Sequence, residues 1–267
     1  MGKHKAFNAT YDDGVLQDVQ LVALMNRYGI RGTFNLNSGL MESEFEWVHE
    51  NGMTVKRLSR TAVQELYHGH EIASHTLTHP YMQDLSPEQL ILQMRLDKTN
   101  LESLFGREVR GFAVPFDFYS DRIANCAKDL GFTYARMSEF SLSYCPWQER
   151  YHWKCGVFHL QPELTGFVQG FLTTDQELAL CQIVGHSYDM DTEDLWHTTE
   201  DIFRKVSLQE DVWLATNIEI VEYLCAMNCL EISDNTAVNR SNRDLWIEAD
   251  GKAILLRPGE SYKEELP

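Results

Sequence analysis

The sequence predicts an α/β fold: a mainly parallel sheet covered on both faces, with a small β appendage at the end of the chain. Two observations carry this expectation. Short apolar runs alternate with amphipathic ones from Lys5 to Met227, the pattern of strand–helix–strand units. Beyond Glu231 the helical period disappears, and residues 245–256 read as two strands around Asp250-Gly251, a hairpin turn signal. A chain of 267 residues can fill one barrel-like domain or two small ones. We divide it into a main domain, 1–230, and an appendage, 231–267.

Each element has its own local reason. Lys5 to Tyr11 alternates as a strand and runs into Asp12-Asp13-Gly14. Asp18 is placed to cap a helix reaching Tyr28, with Leu21, Val22, Leu24 and Met25 as its apolar face. Gly32 to Asn37 reads as a second strand, and the polar stretch through Asn51 and Gly52 as loop. Thr61 to Tyr67 reads as a short helix and Glu71 to Ser74 as a short buried strand. Ser86-Pro87-Glu88 starts a helix with Pro at its first position, which runs to Phe105 and stops at Gly106. A strand over Val109 to Val114, a helix over Asp121 to Leu130 and a strand over Gly131 to Met137 follow. Residues 138–174 read as irregular and aromatic, with Trp147 and Trp153 among them. Leu178 to Val184 is an apolar strand that ends in Gly185-His186-Ser187-Tyr188-Asp189. A helix from Asp194 to Val206, a strand from Val212 to Ala215 and a helix from Ile218 to Met227 complete the pattern.

Composition narrows the function classes. Forty acidic against 23 basic residues give a net charge of −17, which argues against nucleic acid or an anionic membrane surface as partner. A neutral substrate is expected, and a homo-oligomer is left open. No apolar run approaches the roughly 18 residues of a membrane span. The start of the chain, Met-Gly-Lys-His-Lys, carries no apolar signal core. Six cysteines, none in a Cys-x-x-Cys pair, suggest neither a zinc ribbon nor a redox site. Cys225 and Cys229 are expected as buried free thiols, and a Cys145–Cys155 pairing stays open. A reducing cytoplasm is the expected location.

Three places carry chemistry. Asp12 and Asp13 are adjacent carboxylates that repel each other unless a cation sits beside them, although Asp-Asp-Gly is also ordinary turn chemistry. His75-Thr76-Leu77-Thr78-His79 holds a histidine pair that a helix or a tight turn can bring to one metal. With His68 and His70, these histidines are expected to crowd the exit of a strand, although ten histidines in the chain also make such a pair by chance. His186 ends an apolar strand. Asp12-Asp13, His75 and His186 all fall at carboxyl ends of predicted parallel strands, the edge where barrels assemble active sites. Two histidines and one carboxylate leave open positions on a catalytic metal. Water bound there becomes a usable nucleophile near neutral pH. A second carboxylate can take its proton, and a separate histidine can protonate the leaving group.

These residues, in this order, resemble the polysaccharide deacetylases of the NodB-homology class (carbohydrate esterase family 4). Thr10-Tyr11-Asp12-Asp13-Gly14 is similar to the family motif Thr-Phe-Asp-Asp-Gly, and Ser74-His75-Thr76-Leu77-Thr78-His79-Pro80 to His-Ser/Thr-x-x-His. The resemblance covers about residues 5 to 225. It implies a distorted (β/α) barrel that removes acetyl groups from N- or O-acetylated carbohydrate, or from a related small amide or ester. By the same resemblance Asp12 is the base, His186 the acid, and Asp13, His75 and His79 hold Zn2+ or another divalent ion such as Co2+, Ni2+ or Mn2+. Phe116, Asp117 and Tyr188 are expected on the oxyanion and substrate side, with the Phe116 N–H as an oxyanion donor.

The third family motif, Phe-Arg-x-Pro-Tyr-Gly, departs here to Phe112-Ala113-Val114-Pro115-Phe116-Asp117. The arginine that tethers the base is Ala113. Unless Arg110, Arg136 or Lys154 takes its place, Asp12 is expected to be harder to ionise than its counterparts. The fourth motif has no clear match, although Trp153 lies in the right region. Two other readings remain: a non-catalytic carbohydrate-binding relative of the same fold, and a two-His-one-carboxylate iron oxygenase. The second fits poorly, because Asp13 and His75 lie far apart on an alternating α/β chain.

Overall fold

Alternate residues of a strand face opposite sides, and the first strand, β1 (Lys5–Asp12), separates its chemistry accordingly. Phe7, Ala9 and Tyr11 join the hydrophobic core, whereas Asn8, Thr10 and Asp12 are buried polar residues of the other face. The structure is a computed structural model. It describes residues 2–41, 46–146, 149–233, 235–249 and 251–263, except for the side chains of Asp117 and Ser138.

After β1 come α1 (Asp18–Arg27) and β2 (Thr33–Leu36). The segment expected as loop contains a hairpin, β3 (Glu46–Val48) and β4 (Thr54–Lys56), whose outer end docks on the turn after β1 through Leu16 N to Lys56 O at 2.9 Å and Leu58 N to Gly14 O at 2.9 Å. Then follow α2 (Arg60–Leu66), β5 (Glu71–Ser74), α3 (Pro87–Phe105), β6 (Gly111–Ala113), α4 (Asp121–Asp129) and β7 (Tyr134–Phe140). The region expected to be irregular holds β8 (Trp153–Cys155), β9 (Val157–Phe158) and α5 (Leu164–Thr173); Trp147 lies outside the described residues. The series continues with β10 (Ala179–His186), α6 (Asp189–Thr192), α7 (Trp196–Ser207), β11 (Val212–Leu214) and α8 (Asn217–Met227).

Local signals explain where the long helices begin and end. Ser86 and Gln89 form a reciprocal capping box at the start of α3, Pro87 occupies the first turn, and Gly106 closes the helix in the left-handed conformation. Thr216 and Glu219 cap α8 in the same way. Asp18 does not cap α1. It lies in the first helical turn, and its carboxylate is drawn inward to accept from Tyr67 Oη and Ser187 Oγ, both at 2.5 Å.

The nine-stranded sheet has the order β8-β7-β6-β5-β2-β1-β10-β9, with β11 beside the first half of β1. All its pairings are parallel. Only Gly156 separates β8 from β9. Because β8 pairs with β7 and β9 with β10, one short segment joins the two edges and closes the sheet into a distorted (β/α) barrel. Helices α3, α5 and α7 press Leu90, Met94, Phe167, Ile202 and Phe203 onto its outside.

The tail is all β. β12 (Leu230–Ser233), β13 (Thr236–Asn239) and β16 (Ser261–Lys263) form one antiparallel sheet, and β14 (Leu245–Ala249) and β15 (Lys252–Leu256) form a hairpin. Asp250 of its turn lies outside the described residues. The hairpin meets α8, where Trp246 N donates to Tyr223 Oη at 3.1 Å. None of the six cysteines is in a disulfide, and Cys229 is exposed and Cys225 half-buried, contrary to the expectation of buried thiols. No helix among the described residues is long and apolar enough to cross a membrane.

Candidate active site

Loops after β1, β5, β6 and β10 converge at the carboxyl end of the barrel. Asp12 ends β1 as the register partner of His186 in β10. Asp13, Thr76, His79 and Phe116 sit in the left-handed region at φ 85, 68, 54 and 54°. Each such non-glycine residue costs about 1–3 kcal/mol and persists only where its surroundings hold it. Here Asn37 Nδ2 donates to the carbonyls of His75 and Thr76, the latter at 2.9 Å. Asp97 of α3 accepts from Ser74 Oγ at 2.6 Å, Ser38 N at 2.7 Å and His75 N at 3.3 Å.

The donor atoms of Asp13, His75 and His79 lie within 4.8 Å of one another. His75 Nδ1 bonds to Ala113 O at 2.9 Å, and its Nε2 stands 3.9 Å from Asp12 Oδ2. His79 Nε2 is 3.8 Å from Asp13 Oδ1. That oxygen is buried and accepts no hydrogen bond from the described residues, although Arg57 Nη1 pairs with it at 3.0 Å. An under-satisfied carboxylate oxygen facing two imidazole nitrogens fits a divalent ion of zinc type. Burial pushes His75 down to about 4, more than Asp12 pulls it up, and lowers His79 too, so both rings are neutral and can ligate. Burial opposes ionisation of Asp13, but Arg57 and the histidines hold its carboxyl well below the usual carboxylate range.

Asp12 Oδ1 accepts from Asn35 Nδ2 at 2.7 Å and from the guanidinium of Arg136. Burial again works against the charge, and Arg136, then His75 and His186, outweigh it, so the carboxyl lies below its ordinary value. Arg136 is fully buried and is the register partner of Ala113. The guanidinium absent from β6 is therefore supplied at the same level by β7, and the expectation of a weakened base does not hold. Arg110 pairs with Glu222 and Lys154 with Glu139, so neither reaches Asp12.

His186 Nδ1 lies 3.1 Å from Asp189 Oδ2, and His159 Nε2 lies 2.9 Å from the same oxygen. Burial alone would lower His186, but the Asp189 hydrogen bond and the charges of Asp13 and Asp12 raise it to about 9. Its ring stacks on Tyr188 with centroids 4.9 Å apart, and Trp47 of the hairpin meets Tyr188 edge-on at 5.4 Å. On the other side Phe116 packs on His79 at 4.5 Å and stacks on Tyr81 at 3.9 Å. The side chain of Asp117 lies outside those described.

Other expected contributors lie elsewhere. His70 stands at the amino end of β5, where its Nδ1 accepts from Gly32 N at 3.1 Å, so the four histidines do not crowd one strand exit. Trp153 packs on Tyr134 in the cluster under α8. Arg57, Asp189 and His159 escaped sequence reasoning. Asp189 had a signal in its i, i+3 spacing from His186; Arg57 and His159 had none.

A parallel barrel that gathers ionised carboxylates, neutral imidazoles and a protonated imidazole at the carboxyl rim belongs to the barrel enzymes in design. The chain belongs to the polysaccharide deacetylase family, whose model matches residues 2–135, half of its length. Among solved structures it is similar to the Xyl-CE4 domain of a multidomain xylanase from the hindgut metagenome of Trinervitermes trinervoides, with a TM-score of 0.54 and 16% identity over 85% of this chain and 93% of that one. It is also similar to a mutant of a CE4 family pseudoenzyme, with a TM-score of 0.52 and 16% identity over 83% and 68% of the two chains. It spans 55% of the Streptococcus pyogenes deacetylase PplD, at 20% identity over 49% of this chain and a TM-score of 0.43. No curated protein matches in sequence.

Proposed function

We propose that the protein is a metal-dependent deacetylase acting on N- or O-acetylated carbohydrate or a related small amide or ester. One observation carries the reading: Asp12 and His186, register partners beside the Asp13–His75–His79 trio, are held in opposite protonation states, one a carboxylate and the other an imidazolium. A base and an acid ready at one pH are what acyl transfer to water requires. Asp13, His75 and His79 would hold the ion, with zinc first among the candidates. Such an ion supplies a water of lowered pKa and polarises the acyl oxygen.

The chain's own groups do the rest. Asp12, ionised by Arg136, takes the proton of the attacking water. His186, charged and fixed through Nδ1 by Asp189, gives a proton from Nε2 to the leaving nitrogen or oxygen. The Phe116 N–H is assigned to the oxyanion. Tyr188, stacked on His186, is assigned to the substrate side. The acidic chain favours a small, neutral substrate, and six cysteines without a Cys-x-x-Cys pair accord with a reducing compartment such as the cytoplasm.

A second reading, a non-catalytic binder, is favoured by the altered third motif and the likeness to a pseudoenzyme. A binder has no use for Asp12 and His186 in complementary states. Acetate release from N-acetyl and O-acetyl sugars, by protein loaded with zinc, cobalt, nickel or manganese, decides between them. Release that a chelator abolishes and metal restores is expected. Sugar binding without release in every metal form would sink the enzyme.

A further inference from the structure

We propose that His159, the residue after β9, is a positioning residue that aims the acid His186 by holding the carboxylate of Asp189. The inference rests on the deacetylase reading with His186 as acid. Both histidines bond to one oxygen, Asp189 Oδ2, at 2.9 Å for His159 Nε2 and 3.1 Å for His186 Nδ1. A carboxylate on a short helix can rotate about its own bonds. Two donors on one oxygen remove that freedom and fix the direction in which His186 is held.

The ring of His159 is built into the barrel. It is 2% exposed, its backbone N donates to Val184 O at 2.8 Å, and its edge meets Tyr11 at 5.7 Å. Gly185, immediately before His186, leaves the space: a Cβ there would stand 2.4 Å from His159 Cδ2 and Nε2. Glycine inside a strand weakens it and marks a close approach. A merely structural histidine would be expected to have both nitrogens satisfied, yet His159 Nδ1 is buried without a hydrogen-bond partner among the described residues. Burial keeps the ring neutral, so Nε2–H donates to Asp189 without adding a charge, and Asp189 keeps its full attraction for the His186 cation. His159 gives up no proton in the reaction.

The test uses the full-length, zinc-loaded protein with His159→Leu, His159→Gln and Gly185→Ala, the last pushing the ring aside without removing a polar group. His159→Leu should lower kcat for acetate release by about 10²-fold, the scale of a misplaced group, with KM within about twofold. His159→Gln, whose amide can still donate, should recover about tenfold of that loss. Gly185→Ala should match His159→Leu. The 15N spectrum of His186 gives a readout independent of turnover: its Nδ1–H signal, shifted by the Asp189 hydrogen bond in the wild type, should move toward that of a free imidazole in His159→Leu and Gly185→Ala. If the wild type releases no acetate while this signal moves, the deacetylase reading fails and the positioning role stands. A lower melting temperature with kcat and the His186 signal unchanged would overturn it. Should His159→Leu not fold, Gly185→Ala supplies the same two readouts.

Discussion

The barrel interior carries two polar tiers, two residues apart on the same strands, and they treat buried carboxylates in opposite ways. In the lower tier Glu71 accepts from Tyr134 Oη at 2.9 Å, Thr33 Oγ1 at 2.8 Å and Ile218 N at 2.8 Å. In the upper tier Asp12 meets Asn35 and Arg136, the next inward residues of the strands that supply Thr33 and Tyr134. Burial raises Glu71 to about 7 despite its hydrogen bonds, whereas Arg136 holds Asp12 below its ordinary value. Hydroxyl and amide donors satisfy a carboxyl; a guanidinium keeps it charged. What separates the upper tier from the lower one is therefore the charge of the partner, since both carboxyls are buried.

The comparison breaks first at Asp12. Asp12→Asn should lower turnover by about 10²–10⁴-fold, the range for a general base, with metal content unchanged. Loss of metal, measured by elemental analysis, would mean that Asp12 and Asp13 have been given each other's roles. Arg136→Met should come next. Leaving a buried carboxylate without its cation costs about 3–5 kcal/mol of stability, read by denaturant unfolding. The acidic limb of the rate profile should also move to higher pH, because the cation that favoured the charged Asp12 is gone.

A smaller effect is expected at the acid. His186 is raised above its ordinary 6.5, so its charged form is present below about pH 9 and lost as pH rises through that value. A cation bound beside Asp13 would take back part of this rise, which would place the alkaline limb of turnover between those two values. Asp189→Asn removes a group that raises His186 and should bring the limb toward 6.5; an unmoved limb would assign it to another group.

The lower tier should respond least. Glu71→Gln should leave turnover within about twofold, since Glu71 touches no reacting group. Its carboxyl titrates at 4.5 when free and near 7 when folded, so its contribution to stability is complete below pH 4.5 and fades as pH rises through 7. The variant should flatten melting temperature against pH across that window. A fall in turnover comparable to that of Asp12→Asn would erase the distinction between the tiers.

Much of the barrel was legible because its signals are local. The capped start of α3 at Ser86-Pro87-Glu88, its stop at Gly106 and the alternation of β1 each depend on neighbours in sequence. So do Asp12-Asp13 and His75–His79, which the structure brings together within one rim. β8 and β9 were not legible, because strands of three and two residues show no period. Nor was the hairpin of β3 and β4, whose polar sequence resembles loop. Arg136 could be named only as one cation among three: its role depends on the parallel register that sets it beside Ala113, a fact of the sheet that no local pattern encodes.

The hand-over at Gly156 gives the barrel a seam, and seams are where rings open. β9 holds β10 through two register pairs, Ile183 with Val157 and Val184 with Phe158, followed by the bond from His159 N to Val184 O at 2.8 Å. A Cβ on Gly156 would meet Gln182 O at 2.8 Å and the Phe167 ring at 2.9 Å, so this crossing allows no substitute without local rearrangement. Segments tied by few backbone bonds exchange their amide hydrogens through local opening, ahead of the rest of the fold. The residue that follows β9 is His159. A parting of β9 from β10 would therefore release the hold on Asp189, so that the closure of the barrel and the aim of His186 depend on the same short strand.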